Sequence, residues 1–202
     1  MFDNHTQNTI IEMAIRSDIE PAALLAVVEV ESGGRALFDV NGQKEPAIRF
    51  EGHYFDRRLS GSLRERARKE GLASPHAGRI PNPRSQSGRW LLLNRAMKLN
   101  RIAALESTSW GLGQVMGAHW EWLGFESIDA LTAQARNSIG GQVVLMLRFI
   151  QKAGLISELQ AKDWRNFARR YNGPAFARNQ YDVRMAVAYD RWMQNLSQLR
   201  VA

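Results

Sequence analysis

The sequence predicts a mainly α-helical domain with one small β-hairpin, and three observations carry that expectation. Apolar residues recur at helical spacing through most of the chain. One Asn41-Gly42 pair, a strong tight-turn signal, stands between short apolar pieces, and no other stretch reads as a strand. With 202 residues and 45% hydrophobic content, the chain is long enough to bury one full core, so a single domain over 1–202 is expected.

Taken in order, Ile10, Ile11, Ala14 and Ile15 mark an amphipathic helix ending near Ser17-Asp18. Pro21 suits the first turn of a second helix, which presents Leu24, Leu25, Val27 and Val28 to a core and stops at Gly33-Gly34. Glu31 falls in its last turn. The hairpin is expected between Leu37 and Phe55, and residues 74–89, with three prolines and two glycines, read as an extended basic loop. Helical spacing returns over Trp90–Leu105, Ala130–Asn137, Ile139–Lys152, Trp164–Tyr171 and Ala175–Leu196.

Composition removes several chemistries. Zero cysteines exclude disulfides and thiolate ligands or nucleophiles. His5, His53, His76 and His119 have no metal-ligand spacing, and neither a dinucleotide glycine pattern nor a Gly-x-Ser-x-Gly elbow is present. No metal and no cofactor is therefore expected. The first residues have no basic stretch leading into an apolar run, and nothing approaches the length needed to span a bilayer. The expectation is synthesis in the cytoplasm without a signal peptide and no stable membrane insertion.

A net charge of +7 argues for a polyanionic partner. Twelve Arg and Lys against Glu65 and Glu70 fill Arg57 to Arg101, whereas Glu29 to Asp56 holds six acids and three bases. An acidic segment beside a basic one suits an enzyme that works with carboxylates while gripping an anionic polymer. Nucleic acid is not favoured as that polymer. The C-terminal arginines Arg178, Arg184, Arg191 and Arg200 are interspersed with Asp182 and Asp190, a weak signal for a membrane-disrupting helix.

Cleavage of a glycosidic bond needs a protonated acid at the leaving oxygen and usually a second carboxylate. Glu31, carried on an apolar helix and released into a glycine turn, is placed for the desolvation that raises a carboxyl pKa. Glu51, after Ile48-Arg49-Phe50 and close to His53, ranks first as second carboxylate, with Asp39 next. Asp39 also suits a turn, and Glu45 reads as an exposed loop charge. In Ser107 to Gly117, read as a turn opening a short helix, Ser109 and Gln114 supply hydrogen-bonding groups and Trp110 a flat face for a sugar. Tyr171 and Asn172, before the Gly173-Pro174 stop, are candidates for lining a saccharide groove. Trp120, Trp122, Trp164, Trp192 and Tyr181 lie at helical positions and read as core.

Four motifs in this order resemble the phage and prophage N-acetylmuramidases, lysozyme-like endolysins. They are Val30-Glu31-Ser32-Gly33-Gly34, Phe50 to Phe55, Ala103 to Gly111 with Gln114 to Gly117, and Asp163 to Pro174 followed by Asn179 to Asp182. The resemblance implies cleavage of the β-1,4 bond between N-acetylmuramic acid and N-acetylglucosamine in peptidoglycan glycan strands. It matches Glu31 to the catalytic glutamate, Glu51 to a second site carboxylate, and Ser109, Gln114, Tyr171 and Asn172 to groove positions. It further implies a monomer acting on periplasmic peptidoglycan after a separate membrane-permeabilising protein has opened the way. The chain departs from the family in a longer turn between Glu31 and Glu51, in residues 74–89, and in having no recognisable separate wall-binding module. Two rivals share these features: a lytic transglycosylase, which forms 1,6-anhydro products, and a non-catalytic cationic envelope-binding protein.

Overall fold

The computed structural model describes residues 2–199, so Arg200 lies outside the described residues. Its first elements are α1 (Asn4–Arg16), α2 (Pro21–Ser32), β1 (Leu37–Val40), β2 (Gln43–Pro46), β3 (Ile48–Phe50), α3 (Gly52–Arg58) and α4 (Gly61–Lys69). Next come α5 (Gln86–Leu99), α6 (Arg101–Glu106), β4 (Thr108–Trp110), β5 (Val115–Met116), α7 (Ile128–Asn137), α8 (Ile139–Lys152), α9 (Ile156–Ala161), α10 (Trp164–Tyr171) and α11 (Tyr181–Leu199). The chain forms two compact units, one from residues up to Ala36 with those from Val143 onward, the other Leu37–Gln142.

In the first unit α2 is the centre. It starts with Pro21 at its first turn and ends at Gly33 in the left-handed region (φ 64°), as its sequence predicts. Leu24, Leu25, Ala26, Val27 and Val28 have no exposed surface, so α2 is buried on every side rather than on one stripe. Helices α1 and α11 pack along it. Helix α1 starts where Asp3 accepts a 2.7 Å hydrogen bond from the Thr6 N–H, and it buries Ile10 and Ala14 but leaves Ile15 exposed. Polar groups tie α11 to α2: the Trp192 indole donates to Glu29 (2.8 Å), and Arg191 pairs with the same carboxylate. Lys162 and the Tyr189 hydroxyl both reach Glu20, just ahead of α2.

In the second unit, Asn41 and Gly42 both take positive φ (53° and 79°), the geometry of a two-residue hairpin turn, and join β1 to β2 in antiparallel register. A further sheet was not legible in the sequence. The segment expected to open a short helix after Ser107 instead forms a β4–β5 hairpin that pairs with β3, with Ile48 opposite Trp110 and Ser109 opposite Met116. Trp90–Leu105 likewise splits into α5 and α6 at Asn100, whose side chain accepts from the Ala103 N–H and caps α6. The stretch read as helix from Ala175 becomes regular only at Tyr181.

Residues 74–85 have a defined task. The Asn82 side chain hydrogen-bonds both the N–H and the carbonyl of Phe50, the Gln86 side chain accepts from the Ile48 N–H, and Arg89 donates to the Ile48 carbonyl. Side chains of this segment and the start of α5 thereby satisfy an edge of β3 that would otherwise be open. Gly52 is required beneath it, since a Cβ there would stand 2.4 Å from Ile80 Cγ1.

Glu45 corrects the sequence reading. It is 6% exposed on β2, ion-paired with Arg136 from α7, whose guanidinium also lies over the Trp90 ring. A buried strand position facing a distant arginine cannot be told from an exposed loop charge without the tertiary partner. Arg136→Ala would leave this carboxylate buried and unpaired, whereas Glu45→Gln leaves a half-exposed guanidinium that water can reach. We therefore expect Arg136→Ala to cost about 2 to 3 kcal/mol and Glu45→Gln distinctly less. Urea unfolding of both variants measures the difference, and equal losses would contradict the assignment.

Candidate active site

Glu31 sits on the last turn of α2, where the buried helix ends and the chain turns out through Gly33 and Gly34. Ser32 closes that end, its hydroxyl donating to the Val28 carbonyl (2.7 Å) and accepting from the Gly34 N–H (3.2 Å). Asn172 holds the Glu31 carboxyl, its Nδ2 donating to Oε1 at 2.7 Å across 141 residues of sequence. Part of Glu31 reaches the surface, but its carboxyl lies deep among protein atoms. Desolvation therefore dominates and raises its pKa from 4.5 to about 7, against smaller lowering effects of the Asn172 hydrogen bond and the positive charge of Arg184.

Helix α10 supplies the wall. It begins at Asp163, which accepts from the Asn166 N–H, and ends so that Tyr171 and Asn172 come together at the acid. The Tyr171 ring stacks on Phe167 (centroids 5.4 Å apart) and meets Phe149 edge-on (5.2 Å). Burial, and then the Glu31 charge, hold the Tyr171 hydroxyl well above its usual pKa, so it stays neutral beside the carboxyl. Asn172 Oδ1 is buried without a hydrogen-bond partner. Glu31, Tyr171 and Asn172 thus form one cluster, held by two helix ends.

Glu51, in the second unit, is differently equipped. It precedes α3, its N–H donates to the Ser107 carbonyl (2.8 Å), and its carboxylate takes a 2.6 Å ion pair from Arg49 with His53 Nδ1 3.5 Å away. This carboxylate is held in place by charge, where Glu31 is held by a neutral amide. Asp39 is a turn former: it is exposed, accepts from the Gly42 N–H (3.1 Å) and lies 3.6 Å from Lys44.

The motif from Ser107 to Gly117 is built for packing. Trp110 is 1% exposed, donates its indole N–H to the Leu105 carbonyl (3.2 Å) and meets Trp90 edge-on, so it offers no open face to a sugar, contrary to the sequence reading. Ser109 is also buried, its hydroxyl 3.1 Å from Met116 Sδ. Gln114 closes the β4–β5 turn by donating to the Gly111 carbonyl (2.8 Å). The glycines are needed for close approach: a Cβ on Gly117 would lie 2.3 Å from the Leu105 carbonyl oxygen. Just before this hairpin, Glu106 accepts from Arg58 (3.1 Å) and the Trp120 indole (2.9 Å), an anchor the sequence did not reveal. Among the aromatics read as core, Trp192 is buried but Trp122 is 43% exposed.

Arg184 was missed as a site residue. It acts on Glu31 from α11, more than 150 positions away, and only the spacing of Arg184, Val187, Ala188 and Arg191 along one helix face offered a signal. Among the described residues no group of three or more His, Cys, Asp or Glu is arranged to hold a metal ion.

Comparison with known proteins adds the decisive observation, a match of the N-acetylmuramidase family model to residues 20–193. The chain belongs to the N-acetylmuramidase family. Membership in this muramidase family makes it a peptidoglycan-cleaving enzyme. Among solved structures it is similar to the crystal structure of Burkholderia AP3 phage endolysin, with a TM-score of 0.79 and 32% identity over 93% of this chain and 71% of that one. No curated protein sequence matches it.

The raised pKa of Glu31 sets a pH dependence. A carboxyl acting as general acid must be protonated, so an activity that uses Glu31 in that role is expected to fall as pH rises through about 7. Stability moves the same way: the folded state binds this proton more tightly than the unfolded chain, so the fold weakens as pH climbs from 4.5 to about 7, by a few kcal/mol. Because the Asn172 hydrogen bond lowers the Glu31 pKa, Asn172→Ala is expected to shift the alkaline limb of the kcat/KM profile upward. A limb that stayed in place would remove Asn172 from control of the acid.

Proposed function

We propose that this chain is an endolysin that hydrolyses the β-1,4 bond between N-acetylmuramic acid and N-acetylglucosamine, with Glu31 as general acid. The observation that carries this reading is a desolvated carboxyl on a buried helix end, its pKa raised to about 7, held by a neutral amide and walled by aromatic rings. Family membership and similarity to a phage endolysin support the same substrate. Such a site delivers a proton to the glycosidic oxygen as the bond breaks, and Glu31 then takes a proton from the attacking water. Glu51, clamped by Arg49, is assigned the second role, stabilising positive charge at the anomeric carbon or directing the water.

Among the described residues no helix is long and apolar enough to cross a membrane. We accordingly assign passage from the cytoplasm to the periplasmic peptidoglycan to a separate membrane-permeabilising protein. The enzyme is proposed to work as a monomer on the glycan strands.

Digestion of purified peptidoglycan, with mass analysis of the released muropeptides, tests the assignment. Wild type should release muropeptides with free reducing muramic ends, and Glu31→Gln should lose about 100-fold or more of the rate. Products lighter by one water would make the enzyme a lytic transglycosylase, and undiminished release by Glu31→Gln would remove Glu31 as the acid. Glu51→Gln should reduce kcat about tenfold or more if that carboxylate assists the chemistry, and an unchanged kcat would make Glu51 a structural partner of Arg49.

A further inference from the structure

The first unit contains a groove of about 410 Å³ between α2 and α11 that the cleavage chemistry does not use. Glu29, Val30, Gly33, Val183, Arg184, Val187, Ala188 and Arg191 line it, so its α2 wall includes the residue immediately before Glu31. Its apolar part is open to water: Val183 and Val187, one helical turn apart on α11, are 56% and 59% exposed. Two valines left in water beside a concave surface are a place where a ligand's methyl groups gain by burial.

The charges in this groove are unequal. Glu29 is spent, with one oxygen on Arg191 and the other on the Trp192 indole. Arg191 is thereby neutralised. Arg184 has no carboxylate hydrogen-bonded to it: its contacts are the Val30 carbonyl at 3.4 Å and the face of the Tyr181 ring, with Glu31 acting on it only through space. Glu31, its pKa raised to about 7, is only partly ionised near neutral pH and makes no hydrogen bond to Arg184. The groove therefore presents a guanidinium with no carboxylate bound to it, suited to a ligand carboxylate, next to exposed aliphatic side chains.

In peptidoglycan the lactyl carboxyl of each muramic acid is taken up in the amide that carries the peptide stem, so the free carboxylates lie on the stem itself, which is also rich in alanine methyls, and cleavage at muramic acid brings that peptide to the side of the acid. We propose that the α2–α11 groove binds the peptide stem of the substrate, Arg184 pairing with a stem carboxylate while Val183 and Val187 cover alanyl methyls. Arg184 then acts as a specificity residue for strands whose stems carry free carboxylates. This inference rests on the muramidase reading and adds to it which form of the polymer is preferred.

The experiment has two independent arms. In the first, kcat/KM is measured on soluble strands with free stem carboxylates and on the same strands after those carboxylates have been amidated, for wild type, Arg184→Gln and Val187→Asp. Wild type should favour the free-carboxylate strands about tenfold or more, the scale of one charge-assisted hydrogen bond, and that ratio should fall toward one in both variants. Val187 is exposed enough for the change to be made without disturbing the core. A wild-type ratio near one, or a ratio that neither variant moves, overturns the proposal while leaving muramidase activity standing. In the second arm, Glu31→Gln is titrated with an N-acetylmuramoyl tetrapeptide, and the Val183 and Val187 methyl resonances are followed. Shifts in those methyls that Arg184→Gln weakens support the groove even if no glycan is cut, which separates its fate from that of the muramidase reading. Unmoved methyls overturn it, as does sedimentation showing a dimer that Val187→Asp dissociates, since a second copy would then occupy the groove.

Discussion

The burial of α2 is the constraint from which the acid follows. A helix apolar on every face has to be surrounded, and α1 and α11 pack along it. Its last turn carries a carboxyl into that enclosure before the glycines release the chain. A carboxyl in such a place either acquires a cationic partner and ionises or stays unpaired and holds its proton. Glu31 takes the second course, because its hydrogen-bond partner is an amide and the nearest guanidinium acts only through space.

The contrast with neighbouring acids makes the difference physical. Glu29, two residues earlier on the same helix, is paired with Arg191 and Trp192 and ties α11 to α2. Glu45 and Asp56 are just as hidden, yet each is matched by an arginine, and in Asp56 the Arg68 hydrogen bonds hold the carboxyl below its usual range. Arginine-paired acids organise the protein, while the acid left to a neutral donor is the one fit to transfer a proton. Much of the basic character of the chain has the same explanation. Arg58, Arg66, Arg68 and Arg136 all neutralise acids within the fold, so the charge available to an anionic polymer is smaller than the sequence total suggests.

Local grammar made a large part of this legible from the residues. Pro21, the apolar run and the paired glycines define α2 because each acts within one or two turns of backbone. Asn41-Gly42 defines the first hairpin for the same reason, since both residues tolerate the positive φ it demands. The β4–β5 hairpin escaped notice because its residues, Thr108 to Met116, are stabilised by pairing with β3, some sixty positions earlier. Trp110 was misjudged on the same ground: whether an indole faces a ligand or a core is decided by what packs on it, here Trp90.

That Glu31 is a desolvated carboxyl belongs to the sequence, because an apolar helix ending in Glu31-Ser-Gly-Gly places that carboxyl at a buried helix end in any compact arrangement. Which group meets it was decided only by the tertiary structure. Asn172, Tyr171 and Arg184 lie 140 to 153 positions away on α10 and α11, and no local spacing encodes that encounter. Short-range backbone preferences write helices and turns into neighbouring residues, whereas the electrostatic surroundings of a buried carboxyl come from groups that only packing brings together.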